Sequence, residues 1–236
     1  MCGIGVLKLS NIIKEPLIKG PVFKDGTEEY YYLKSGKSYN FAAILKCGNK
    51  KCLHTVSMIG EYIEDYEDYD EETFGTGLFC SYFPKYFFPN LKIFKFPDKV
   101  PPKIQEEIFH SFSNFFADPL SAANKIRRAI ELLVSEFGAP KYTFIRPKPP
   151  TAGKRKKHYF DLHTRIVKLT KSKRRTTNML LGLKVIGNDG SHANESSINH
   201  DDILEAYEVL EFLLEKEFSE KANEILKIAE KLKNRN

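Results

Sequence analysis

Residues 1–100 carry apolar positions in short runs rather than at helical spacing. FAAILKC (41–47), HTVSMIGEYIE (54–64) and KYFFPNLKIFKF (85–96) are rich in β-branched and aromatic residues, and Gly, Pro and Asn bound them. Such runs predict strands. After Pro101 and Pro102 the period changes, and Ile104, Ile108, Phe112, Phe115 and Phe116 fall on one helical stripe. Asp118 is placed to cap a second helix, with Pro119 in its first turn and Gly138 at its end. Ile126, Ile130, Leu133 and Phe137 form the core stripe of that helix. Asn124, Arg127, Arg128 and Glu131 share another face at spacings of three and four. Residues 139–157 hold four prolines and the basic run GKRKK, and read as a long loop. Helical periodicity resumes in YFDLHTRIVKL and TTNMLLGLKVIG. GNDGSHANESSIN (187–199) then breaks it, and Asn199 caps a long helical region whose inward stripe is Ile203, Ala206, Leu210, Leu213 and Leu214.

The pattern predicts an α+β chain in two parts. Residues 1–100 form a β-rich region, and residues 101–236 form a bundle of four or five helices with no solenoid repeat. Across 236 residues, 42% are hydrophobic and 29% charged, enough apolar material for a core, which excludes a disordered chain. No run of about eighteen apolar residues exists, which excludes a spanning helix. The start MCGIGVLKLS has no secretory pattern, and Cys2, Cys47, Cys52 and Cys80 do not read as a disulfide framework, so a reducing, cytoplasmic setting is expected.

Charge changes the picture more than composition does. The net charge of +6 is mild, yet Arg146 to Arg175 contains twelve Lys or Arg against the single acid Asp161. The rest of the chain is therefore net negative, with eight acids and no Lys or Arg between Glu61 and Glu72. That acidic stretch reads as a solvated loop, or else as a flexible flap or a decoy for a basic surface. The basic segment reads as a polyanion contact, or else as a soluble loop. Lys154, Arg155, Lys156, Lys157, Arg165, Arg174 and Arg175 are its nucleic-acid-binding candidates.

Three constellations could carry chemistry. Cys47 and Cys52 flank a C-x4-C turn with His54 beyond it, and Cys80 could supply a fourth ligand to a structural zinc ion; otherwise these are reduced cysteines. GNDGSH places Asn188 and His192 at a turn, where the imidazole could move a proton or simply staple the turn by hydrogen bonds. The face bearing Arg127, Arg128 and Glu131 reads either as a salt bridge or as a phosphate-holding set. The opening Met-Cys-Gly-Ile resembles the start of glutamine amidotransferases, but no RGPD-like or NGE-like stretch follows, and it reads as a β-prone segment.

The segments FPDKVPPKIQEEIFHSFSNFFADPLSAANKIRRAIELL, DLHTRIVKL, LKVIGNDGSH and DDILEAYEVLE follow one another in order. Together with R-x-A-[IL]-E at Arg127–Glu131 and GN-x-GSH, they resemble the prokaryotic domain of unknown function 4145 family, from about residue 40 to 230. That family is similar to the HEPN superfamily of helical bundles (higher eukaryotes and prokaryotes nucleotide-binding), many of which are metal-independent ribonucleases of anti-phage, toxin–antitoxin and restriction systems. The resemblance implies a HEPN-like bundle, following a β-rich region with a zinc-ribbon-like turn. It implies RNA as partner, a homodimer joining two motifs, and a defence-system protein as a further partner. It places Asn188 and His192 on the Asn and His of the ribonuclease motif, with Gly187 where the motif has arginine. Arg127 or Arg128 would then supply the missing charge, with Glu131 beside them. A binding or scaffold module without catalysis is the alternative.

Overall fold

The computed structural model describes residues 6–16, 36–52, 54–67, 77–145, 155–189 and 198–234. Contacts divide the chain into two units, 1–91 and 92–236.

The first unit is an antiparallel meander: β1 (Leu7–Pro16), β2 (Gly36–Cys47), β3 (Thr55–Glu67) and β4 (Gly77–Phe88), paired in that order. The alternation along FAAIL sets its two faces. Phe41 and Ala43 are buried while Ala42 and Ile44 are exposed, because successive side chains of a strand point to opposite sides. Tyr62 joins Phe41 and Ala43 in a small core, flanked by Ile12, Tyr39 and Met58. Gly60 sits where the β3–β4 register shifts, opposite Pro84. A Cβ there would come within 2.3 Å of the Phe83 carbonyl oxygen, so only glycine allows this approach. The acidic stretch is partly strand rather than loop: Glu61, Glu64, Asp65 and Glu67 belong to β3 and pair with β4. Paired backbone groups hold these residues extended whatever their charge.

The predicted strand 85–96 ends early, at Phe88. Beyond it, Phe94 is buried in the core of the second unit and the half-buried Phe96 packs against that core, both against the Phe112 ring. This is why the chain divides at Leu91, upstream of the double proline.

The second unit contains α1 (Pro102–Asn114), α2 (Pro119–Glu136), the strands β5 (Tyr142–Ile145) and β6 (Lys156–Tyr159), α3 (Leu162–Lys168), α4 (Thr170–Asp189), α5 (His200–Phe218) and α6 (Glu220–Lys233). The expected caps are present. Asp118 accepts from Ser121 N, and Asn199 accepts from Asp201 and Asp202 N in a full capping box. Gly138 has φ of 82° just beyond α2. Ile104, Ile108, Ile126, Ile130, Leu133, Ile203, Leu210 and Leu213 are buried in one core. A polar tie runs through it: Tyr207 Oη lies 2.7 Å from Ser111 Oγ, which donates to the Ala122 carbonyl at 2.8 Å. One hydroxyl pair thus links α1, α2 and α5, and burial pushes the Tyr207 phenol well up from its ordinary value.

Three expectations change. Six helices are present among the described residues, because the long C-terminal region breaks at an extended Ser219 between α5 and α6. Residues 139–157 contain strands as well as loop. α4 runs on through Gly187 and Asn188 to Asp189, so the expected turn at 187 is the last turn of a helix.

Candidate functional site

Helix α2 distributes its charged residues between two neighbours. Arg127 turns toward the C-terminal end of α4, where its Nη1 donates to Asn188 Oδ1, while its Nε lies 3.6 Å from Glu131 Oε1 one turn along. Arg128, next in sequence, turns toward α1 instead. Its Nη2 lies 3.1 Å from Glu107 Oε1, and Lys125 holds the other Glu107 oxygen at 3.2 Å. Of the two candidate arginines, Arg127 is therefore the one joined to Asn188, with Glu131 beside it. His192 lies outside the described residues.

Gly187 explains the geometry. A Cβ on it would stand 2.6 Å from Arg127 Cβ and 3.1 Å from Arg127 Cα. The α2 and α4 backbones meet here, and no arginine could occupy position 187. The guanidinium comes instead from the facing helix, at the residue whose backbone Gly187 touches.

A second assembly lies on β5 and β6. The register pairs Tyr142 with Tyr159 and Phe144 with Lys157, so these four share one face of a two-stranded ribbon. All eight ribbon residues are exposed. The Tyr142 ring is 5.5 Å from Phe144 and 5.7 Å from Tyr159, and Lys157 Nζ sits 4.6 Å over it. The result is an exposed aromatic surface carrying a cation, flanked by Arg155, Lys156 and His158. Arg174 and Arg175 are exposed on α4, and Lys154 lies outside the described residues. Arg165 differs from these cations: it is only 9% exposed.

The amino-acid pattern pointed to the cations of the ribbon but not to Tyr142, Phe144 or Tyr159. The signal was the alternation in YTFI and KKHY, obscured by the prolines between them.

Of the described candidate zinc ligands, Cys80 stands apart from the other three. Cys47 and Cys52 bracket the β2–β3 turn with His54, closed by Cys47 N donating to the His54 carbonyl at 3.0 Å. Cys80 pairs with Glu64, and Thr55 at the start of β3 pairs with Lys46. Nine residues of strand thus separate the turn from Cys80, or about 30 Å at ~3.3 Å per residue. Among the described residues the turn gathers Cys47, Cys52 and His54 without Cys80, where a structural site takes four ligands. No group of three His, Cys, Asp or Glu suited to a metal occurs among the described residues.

No described helix is long and apolar enough to cross a membrane. No curated protein and no solved structure matches the chain. One family model does match, over residues 110–235, a span that contains the α2–α4 crossing and the ribbon and leaves the meander outside. By that match across more than half its length, the chain belongs to the family described as Domain of unknown function (DUF4145).

Proposed function

We propose that this chain is a HEPN-like RNA-binding protein that cleaves RNA without a metal ion, as a module of a defence or restriction system. The observation that carries the proposal is the contact between Arg127 and Asn188 across the Gly187 crossing. It supplies, from two helices, the arginine and asparagine that the ribonuclease motif carries on one. In the reaction, a ribose 2′-hydroxyl attacks the adjacent phosphorus and the bond to the 5′-oxygen breaks. The products are a 2′,3′-cyclic phosphate and a 5′-hydroxyl. His192 would take the 2′-hydroxyl proton and return one to the leaving 5′-oxygen, Asn188 would orient the phosphate, and Arg127 would meet the charge on its oxygens. Glu131 holds Arg127 in place. Two copies meeting at this surface would bring two such sets to one strand.

The test is cleavage of a single-stranded RNA by the full chain in the presence of a chelator. The wild type is expected to yield cyclic phosphate ends, with His192→Ala and Arg127→Ala losing at least a hundredfold in rate. Equal cleavage by wild type and His192→Ala ends the catalytic reading.

A second reading, binding without cleavage, draws on the engagement of Arg127 by Glu131 and Asn188 and on the aromatic ribbon. Base stacking on exposed rings with cations beside them is a common mode of single-strand capture. A filter-binding titration separates it: steep weakening of RNA binding with salt, and no cleaved product, are its expected results.

A further inference from the structure

Arg165, on α3, is a guanidinium buried to 91% of its surface, since only 9% remains exposed. Among the described residues its one hydrogen bond runs from Nη2 to Ser135 Oγ at 2.7 Å, and its buried Nε has no acceptor. No carboxylate among the described residues lies within ion-pair distance of it. A buried charge without a counterion is costly, so such a group ordinarily marks a place where an ion is supplied.

The surroundings indicate what is missing. Arg165 lines a pocket of about 300 Å³ together with Ser135, Leu132, Lys141, Arg128, Glu107 and Glu131. The two carboxylates of the lining are already engaged, Glu107 by Lys125 and Arg128 and Glu131 by Arg127. Lys141 is exposed and makes no ion pair among the described residues. Ser135 stands in the last turn of α2, whose partial negative charge of about half a unit offsets part of the Arg165 charge. Most of that charge, and all of that on Lys141, is left without a partner among the described residues. Two neighbouring cations of this kind match a dianion better than a monoanion. A phosphate monoester carries about −1.5 to −2 at neutral pH and offers several acceptors to a planar guanidinium. The volume is at the lower end of that of small-molecule sites, larger than bare phosphate needs, and Leu132 gives it an apolar wall.

We infer that this pocket binds a small organic phosphate, with its phosphate on Arg165 and Lys141 and its body against Leu132. The pocket shares Glu131 with the proposed cleavage set, but its anion-holding pair, Arg165 and Lys141, does not depend on the ribonuclease reading.

Calorimetric titration of the full chain tests this, using glycerol 3-phosphate, inorganic phosphate and glycerol as probes, with thermal unfolding alongside. Saturable binding of glycerol 3-phosphate is expected, at least fivefold tighter than inorganic phosphate, with no binding of glycerol. Lys141→Ala, at an exposed position, should fold normally and weaken binding at least fivefold, and Arg165→Lys should weaken it further. Absence of saturable binding, or unchanged affinity in Lys141→Ala, overturns the assignment. So does displacement of the bound glycerol 3-phosphate by oligouridine, which would make the pocket part of an RNA surface. Loss of RNA cleavage in His192→Ala with glycerol 3-phosphate binding intact is expected, because Arg165 and Lys141 take no part in the proposed bond-breaking chemistry.

Discussion

Phe and Tyr have opposite fates in two parts of the helical unit. In the core, Phe112 and Tyr207 are each 2% exposed, held by rings at 5.1 Å and by the Ser111 hydroxyl. On the ribbon, Phe144 and Tyr159 are 53% and 66% exposed, and among the described residues their ring contacts are with Tyr142 of the same ribbon. The first set is explained by folding alone, since burying a large ring removes apolar surface from water. The second gains little from folding, because a two-stranded ribbon is marginal by itself and both its faces meet solvent. Aromatic residues that folding does not need, placed beside Lys157, are available to a ligand. The contrast therefore separates stability from binding, and substitutions can test that separation.

The largest stability effect belongs to Phe112→Ala, which removes a ring packed against Phe94, Phe96 and Tyr207. A loss of about 3–5 kcal/mol is expected in urea unfolding. Gly187→Ala comes next. Its Cβ would meet Arg127 Cβ at 2.6 Å, and Arg127 cannot move there without shifting its own backbone. Overpacking of this kind costs about 1–3 kcal/mol, set against a gain of up to ~1 kcal/mol in helix propensity, so a net loss of about 1–2 kcal/mol is expected. RNA cleavage should fall with it if Arg127 is displaced from Asn188.

Tyr207→Phe should cost about 1 kcal/mol, the net worth of one hydrogen bond, because Ser111 keeps its bond to the Ala122 carbonyl. It also changes the response to alkali. The phenol's folded-state pKa lies above the ordinary tyrosine value of 10.0. Above pH 10 the unfolded chain binds fewer protons than the folded one, so stability falls as pH rises through that window. Tyr207→Phe removes that contribution. Unfolding curves at pH 9 and pH 11 should therefore converge for the variant relative to the wild type.

Legibility in the sequence divides along the same line. The stripes of α1, α2 and α5 and the caps at Asp118 and Asn199 could be read because local chemistry and burial agree at those positions. The ribbon strands could not, since four prolines and a basic run surround two stretches of only four residues each. Gly187 misled for a different reason. Glycine and asparagine ordinarily signal a turn, but here the glycine is inside a helix because a neighbouring backbone comes too close for any side chain. That approach is tertiary and leaves no local mark. The candidate site was half legible: Arg127, Asn188 and Glu131 were named, but sequence could not say which arginine would turn to Asn188. Cys80 joined the zinc expectation by residue type alone, and strand register separates it.

The smallest stability effect is expected on the ribbon, and it is the sharpest test of the contrast. Tyr159→Ala removes a ring that is 66% exposed, so unfolding free energy should stay within about 0.5 kcal/mol of wild type. Binding should respond quite differently. Stacking of a base on an aromatic ring is worth about 1–3 kcal/mol, so the affinity for a single-stranded oligonucleotide should fall about tenfold or more. Lys157→Gln should weaken binding too, but by lowering the slope of log affinity against log salt by about one. Tyr159→Ala should leave that slope unchanged, because the ring carries no charge. If Tyr159→Ala destabilises the chain by about 2 kcal/mol, well beyond the range of an exposed site, while oligonucleotide affinity holds, the ribbon is part of the folding core after all. Its rings then need no ligand to account for them.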